Sequence, residues 1–120
     1  MKFNVNQNDF QQALGFCQGV IEKRSTLPIL SNILLDAQNS KLIITATDLD
    51  LIFTHEINNI EVIKEGKTTT TSSTIYDIVR KLSSGKKINL TLTDKNKLHL
   101  ESEKSDFNLN CISASEFPLT

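Results

Sequence analysis

One order of local patterns runs through this chain twice: a short strand, an amphipathic helix, then several strands, over about residues 1–63 and again over about 66–112. A repeated unit of this size cannot bury its own apolar face and must stack on its copy. Two such half-units set side by side place two helices on one surface and a continuous antiparallel sheet on the other. The chain is therefore expected to be α+β, with two adjacent helices packed on that sheet. Its 120 residues suit a single domain.

In the first unit Phe3 and Val5 alternate with Lys2 and Asn4, which predicts a strand over 1–5. Asn6 offers a helix N-cap, and Phe10, Ala13, Leu14, Cys17 and Ile21 form an apolar stripe at helical spacing, giving a helix over 7–22. Gly15 and Gly19 share the opposite face with Asn8, Gln11, Gln12 and Lys23. Both glycines weaken the helix by propensity, so packing or a close approach on that face must hold it. Pro28 drives Leu27 extended and ends any helix before it. Strands are expected at 29–36, 41–47, 50–57 and 59–63, with turns at Gln38-Asn39-Ser40 and Asp48-Leu49.

The second unit is predicted to open with a strand over 67–71 and a helix over 73–83. Ser72 or Ser73 would cap that helix, Ile75, Ile78, Val79 and Leu82 would be its stripe, and Gly85 its stop. Ile88, Leu90 and Leu92 alternate cleanly. A turn at Asp94-Lys95-Asn96 leads to Leu98 and Leu100, and a last strand carries Phe107, Leu109 and Cys111. Glu116-Phe117-Pro118-Leu119-Thr120 holds apolar residues with no partner element, as if cut from a longer chain.

Composition excludes several functions. Thirteen basic and fourteen acidic side chains leave a net charge of −1, so no global field draws the chain onto a polyanion. No apolar run is long enough to span a membrane, and Met1-Lys2-Phe3 leads into a strand pattern rather than a leader, so a cytoplasmic protein without membrane contact is expected. Cys17 and Cys111 both fall on apolar positions and read as reduced core thiols. Asp48 and Asp50 could begin a cation site, but such sites need more converging oxygens, and a turn with solvated acids is the simpler reading. His55 and His99 lie in strands, apart from each other and from any cysteine. No phosphate loop, nucleophile elbow or Cys-x-x-Cys pair occurs. No catalytic residue, metal or cofactor is expected.

The basic residues are more informative by position. Lys23 and Arg24 follow the first helix, and Arg80 and Lys81 close the second. Such cations complement helix dipoles and aid solubility. They could equally present two equivalent helix ends to one extended polyanion, touching phosphates weakly and reading no bases. Four phosphate contacts would give a salt slope of about −3.6, a loose grip suited to sliding.

At these residues the sequence resembles a known family. Arg24-Ser25-Thr26-Leu27-Pro28-Ile29-Leu30-Ser31-Asn32-Ile33, Thr45-Ala46-Thr47-Asp48-Leu49 and Glu116-Phe117-Pro118, with the Met1-Lys2-Phe3 start, resemble the first domain of the bacterial DNA polymerase III beta subunit, the sliding clamp. The likeness covers the whole chain, and an internal repeat is the family's hallmark. It implies a DNA-clamp domain, the first of three in a protomer. Two protomers would close head to tail into a homodimeric ring around duplex DNA, helices lining the hole. The ring would have no activity of its own and would tether the replicative polymerase.

By the same resemblance Arg24 matches a position that touches DNA and Arg80 a basic position on the inner helix; with Lys23 and Lys81, taken from their place at the helix ends, they are the candidates for sequence-independent DNA contact. Ser73 and Thr74 depart from positions where the family often has basic residues. The ring would close on the third domain of the other protomer through an edge strand at Phe107 and the adjoining helix. Phe107, Lys104, Asp106, Asn108 and Thr74 are the interface candidates, and the mixed charges around Phe107 make its apolar packing the main contribution. Polymerase and clamp loader would dock on later domains. Two other readings remain at this point. A stand-alone RNA- or peptide-binding module would need exposed stacking aromatics, and aromatics are only 6% of the chain. A metal-dependent hydrolase would rest on Asp48 and Asp50.

Overall fold

A computed structural model describes residues 1–21 and 28–118. Strand β1 (Lys2–Asn6) leads into helix α1 (Gln7–Gln18). A 3-10 turn at Pro28–Ser31 precedes β2 (Asn32–Gln38), β3 (Lys41–Thr47), β4 (Ile52–Asn58) and β5 (Glu61–Lys64). Strand β6 (Gly66–Thr71) then leads into helix α2 (Ser72–Val79), followed by β7 (Lys87–Leu92), β8 (Lys97–Ser102), β9 (Ser105–Ile112) and a closing 3-10 turn, Ala114–Glu116. The nine strands pair antiparallel throughout, in the order β4-β3-β2-β6-β9-β8-β7-β1-β5. The sheet curls until its end strand β5 touches β2 on the far side. A backbone bond from Ile60 N–H to the Ser40 carbonyl, 3.0 Å, pins that approach.

The core fills the space between sheet and helices. Phe3, Phe10, Leu14, Ile75, Ile88, Leu90, Leu98 and Leu100 are fully buried there. Helix α1 begins where Asn6 was expected to cap it, with the Asn6 side chain accepting from Asn8 N–H at 2.8 Å. It stops at Gln18, earlier than the predicted 22. Gly19 turns the chain and donates its N–H back to Cys17 and Phe16 carbonyls.

Helix α2 also differs from expectation at both ends. Its N-cap is Thr71, which makes no side-chain cap bond. Ser72, expected as a cap, is instead the first helical residue, and its buried hydroxyl accepts from Gln18 Nε2 at 3.3 Å. The far end closes at Arg80. Leu82 still reaches the core because i→i+3 bonds tighten the chain after Val79, from Lys81 N–H to Ile78 and from Leu82 N–H to Val79. Gly85, taken as the stop, lies beyond this in a separate turn at φ +79°.

Other boundaries move by smaller steps. Ile29 and Leu30 looked like strand but belong to the 3-10 turn, so β2 starts at Asn32. Strands β4 and β5 run 52–58 and 61–64 rather than 50–57 and 59–63. Phe117, expected to lack a partner, is buried beside the closing turn.

Both cysteines are free, Cys17 buried and Cys111 half-buried. Burial pushes the Cys17 thiol from 9.0 up to about 12, because a thiolate there would lose its water. The folded value lies above the unfolded one, so this stabilisation is complete below pH ~9 and drains away as pH rises toward ~12. In urea titrations near pH ~10.5 the loss should reach about 2 kcal/mol, and Cys17→Ala should flatten that limb of the profile. An equal alkaline loss in the variant would assign it to another group.

Candidate nucleic-acid interface

Helices α1 and α2 lie against each other on one surface of the domain. A side chain on Gly15 would meet the Tyr76 ring, with Cε1 3.5 Å from the position of a Cβ. The ring of α2 therefore lies close to α1 at Gly15, at a distance where a methyl group would make ordinary van der Waals contact. Gln7, almost fully buried, donates from Nε2 to the Val79 carbonyl and to Gln11 Oε1, both at 2.8 Å. Asn8 Oδ1 accepts from Ser84 Oγ at 2.8 Å and from Gly85 N–H at 3.0 Å, tying the start of α1 to the loop after α2. These bonds fix the helices as a pair.

Between them runs an open groove of about 690 Å³, lined by Gln7, Asn8, Gln11, Gln12, Gly15, Phe16, Tyr76, Arg80, Leu82 and Ser84. Its lining is amide, hydroxyl and aromatic, with Arg80 as the charged side chain. The Arg80 guanidinium stands 6.0 Å from the centre of the Tyr76 ring, and its Nε donates to Asp77 Oδ1 at 3.2 Å. Arg80 and Lys81 are both exposed. Lys23 and Arg24 lie outside the described residues. Tyr76 and Asp77 were passed over in the sequence, although the i,i+3 spacing of Asp77 and Arg80 was a visible signal.

The interface candidates around Phe107 occupy a second region. β9 pairs with β8 over most of its length, from Ser105↔Ser102 to Asn110↔Lys97. Toward β6 it pairs only through Thr70↔Cys111 and Thr69↔Ile112, because β6 ends at Thr71 and turns into α2. The Asn110 carbonyl faces β6, accepting from Thr70 Oγ1 at 2.9 Å. By strand alternation the peptide groups of Asp106 and Asn108 face the same side, where no strand among the described residues covers them.

Phe107 shares the face of buried Leu109, lies opposite Leu100, and remains 37% exposed at the rim of the core. Lys104 and Asp106 are exposed. Asn108 is exposed too, its Oδ1 3.0 Å from His99 Nδ1 on β8. Thr74 is exposed on α2. A cleft lined by Lys81, Leu82, Ser83, Ser102, Glu103, Lys104 and Ser105 joins the exit of α2 to the β8–β9 turn. The open half-strand and the helix beside it thus form one region.

Asp48 serves the backbone. Its Oδ1 accepts from Asp50 N–H at 2.9 Å and Leu51 N–H at 2.7 Å, holding a loop in which Leu49 has φ +82°. Among the described residues no three His, Cys, Asp or Glu side chains converge on a point that could hold a metal. Nor is any described helix long and apolar enough to cross a membrane.

Comparison with known proteins fits this arrangement to a family. The family model for the DNA polymerase III beta subunit, N-terminal domain, matches residues 1–120. The beta sliding clamp of Caulobacter vibrioides is 40% identical over 121 residues, covering 99% of this chain and 32% of the relative. That of Rickettsia felis is 36% identical over 120 residues, covering 98% and 31%. Among solved structures, Caulobacter crescentus pol III beta superposes with a TM-score of 0.94 at 38% identity, over 100% of this chain and 32% of that one. The Pseudomonas aeruginosa DNA polymerase III subunit beta gives 0.93 at 28% identity, over 100% and 32%. The chain thus spans about a third of the length of the relatives it matches. Matched from end to end in sequence and in backbone, it belongs to the DNA polymerase III beta subunit N-terminal domain family.

Proposed function

We propose that this chain is the first of three domains in a sliding-clamp protomer, and that two protomers close head to tail into a ring around duplex DNA. Each protomer domain carries an internal duplication, here over about 1–63 and 66–112. The ring acts in the cytoplasm as a processivity factor: it keeps a replicative polymerase on its template by topology, without chemistry or cofactor of its own. Polymerase and clamp loader dock on the later domains.

The observation that carries this reading is the groove between α1 and α2, whose polar, largely uncharged lining suits water-mediated contact with phosphates. Arg80 and Lys81 at the exit of α2, with Lys23 and Arg24 after α1, supply the phosphate contacts. Phe107 on the open half of β9, flanked by Lys104, Asp106 and Asn108 and by Thr74 on α2, forms the joint with the third domain of the other protomer. The relatives' shared name, beta sliding clamp, supports the same assignment.

Arg24→Ala combined with Arg80→Ala in the full-length protein tests the DNA contact. Removing two phosphate contacts should flatten the salt slope of duplex binding by about 1.8 and weaken binding at low salt, with thermal stability nearly unchanged. An unchanged slope in anisotropy titrations would withdraw both residues from the DNA contact.

A further inference from the structure

Arg80 has an anion bound to it before any DNA arrives. Its Nε donates to Asp77 Oδ1 at 3.2 Å, and both side chains are about half exposed. Tyr76 and Arg80, four residues apart, line the groove toward α1; Asp77 is not part of that lining. One step round the helix from Tyr76, Asp77 lies on the flank of α2 away from α1. The bond therefore draws the guanidinium toward the outer side of the helix, while the Tyr76 ring, 6.0 Å from it, lies close to Gly15 of α1.

We propose that Asp77 is an internal competitor of the DNA backbone for Arg80, which keeps the grip at this helix end weak. This rests on the DNA reading of the helical surface given above. A phosphate approaching from the groove must share the guanidinium with a carboxylate that is tethered and always at hand, or displace it. The carboxylate also offsets one unit of positive charge beside the contact, well inside the ~8–10 Å screening length of physiological salt. A helix-stabilising role alone would concern an exposed pair that contributes little to the fold. The proposed role instead predicts a change in DNA affinity that depends on Arg80.

The test uses the full-length protein, a short duplex of mixed sequence as probe, and fluorescence anisotropy over a range of salt. Asp77→Asn keeps a carbonyl oxygen to accept from Arg80 Nε but removes the charge. It should bind the duplex about two- to five-fold more tightly at low salt, an amount in keeping with one exposed ion pair released for another anion, and with a steeper salt dependence. The double variant Asp77→Asn with Arg80→Ala should bind like Arg80→Ala alone. If Asp77→Asn tightens binding equally in both backgrounds, Asp77 acts as a general negative charge and the proposal falls. If Arg80→Ala weakens binding while Asp77→Asn leaves it unchanged, the competitor role falls and the DNA reading stands. If Arg80→Ala has no effect, both fall. A thermal melt of Asp77→Asn within a degree or two of the parent separates these outcomes from any loss of fold.

Discussion

Phe107→Asp in the full-length protein is expected to raise the dimer dissociation constant by about 100-fold, the range of a lost central aromatic contact made worse by a desolvated charge. The reasoning starts from the strand. Phe107 is a large apolar side chain at the rim of the core, on the half of β9 that pairs with β8 alone. Its neighbours Asp106 and Asn108 turn their peptide groups to the uncovered side, so an incoming strand could satisfy those groups and cover the ring in one step. Unpartnered, such an edge invites unwanted pairing, and the charges of Lys104 and Asp106 around it are a usual protection. Sedimentation velocity at falling protein concentration measures the effect. A profile identical to the parent would remove this half-strand from the joint. Phe107→Ala should shift the constant in the same direction by less, since it leaves no buried charge.

The second large effect concerns α2. Ile75→Ala should destabilise the domain by about 3 kcal/mol, within the usual span for a deleted aliphatic side chain in a packed core. Ile75 is fully buried, and the helix it anchors has only eight residues. A helix that short has no stability of its own in water and is held by its packing. Loosening it would also release Tyr76 from Gly15 and Gln7 from the Val79 carbonyl. Hydrogen exchange should therefore show amides of 75–82 losing protection before those of β7 and β8. Urea denaturation gives the global figure, and a cost below about 1 kcal/mol would mean that the site closes around the smaller side chain.

Much of this architecture could be read from residue order, for reasons that differ by element. β7 was plain because Ile88 and Leu90 are buried while Lys87 is exposed and Asn89 and Thr91 are partly so, giving a period of two. α1 was plain because Asn6 caps it and the Phe10-Ala13-Leu14-Cys17 stripe is unbroken. β2 was less legible: Asn32, Ile33, Leu34 and Leu35 are all buried, so alternation fails and nothing in the pattern marks where the 3-10 turn ends. Helix ends were overrun wherever an apolar residue continued the stripe past the true stop. Leu82 did so for α2, because a tightened turn can deliver a side chain to the core as well as a helix can.

The candidate site divides in the same way. Arg80 stood out as a cation at a helix end, and its exposure agrees with that reading. Its tie to Asp77 and its place over Tyr76 depend on rotamers, which spacing alone does not determine. The open half of β9 depends on register: only the short pairing of β6 with Cys111 and Ile112 leaves the stretch before them uncovered. Nothing within residues 105–110 announces how far a strand distant in sequence will run alongside.

That short pairing has a mechanical consequence. The strands on either side of it belong to two broader blades, and the join between them is two residue pairs wide, reinforced by Thr69 Oγ1 donating to the Ile112 carbonyl at 2.6 Å. Under load the blades should stay stiff while the join bends. α1, which packs on β1 of one blade and on β3 and β4 of the other, works as a splint across it. The domain is thus narrowest along this crease, with the helix and the Ile60–Ser40 bond on the far side limiting how far it can open.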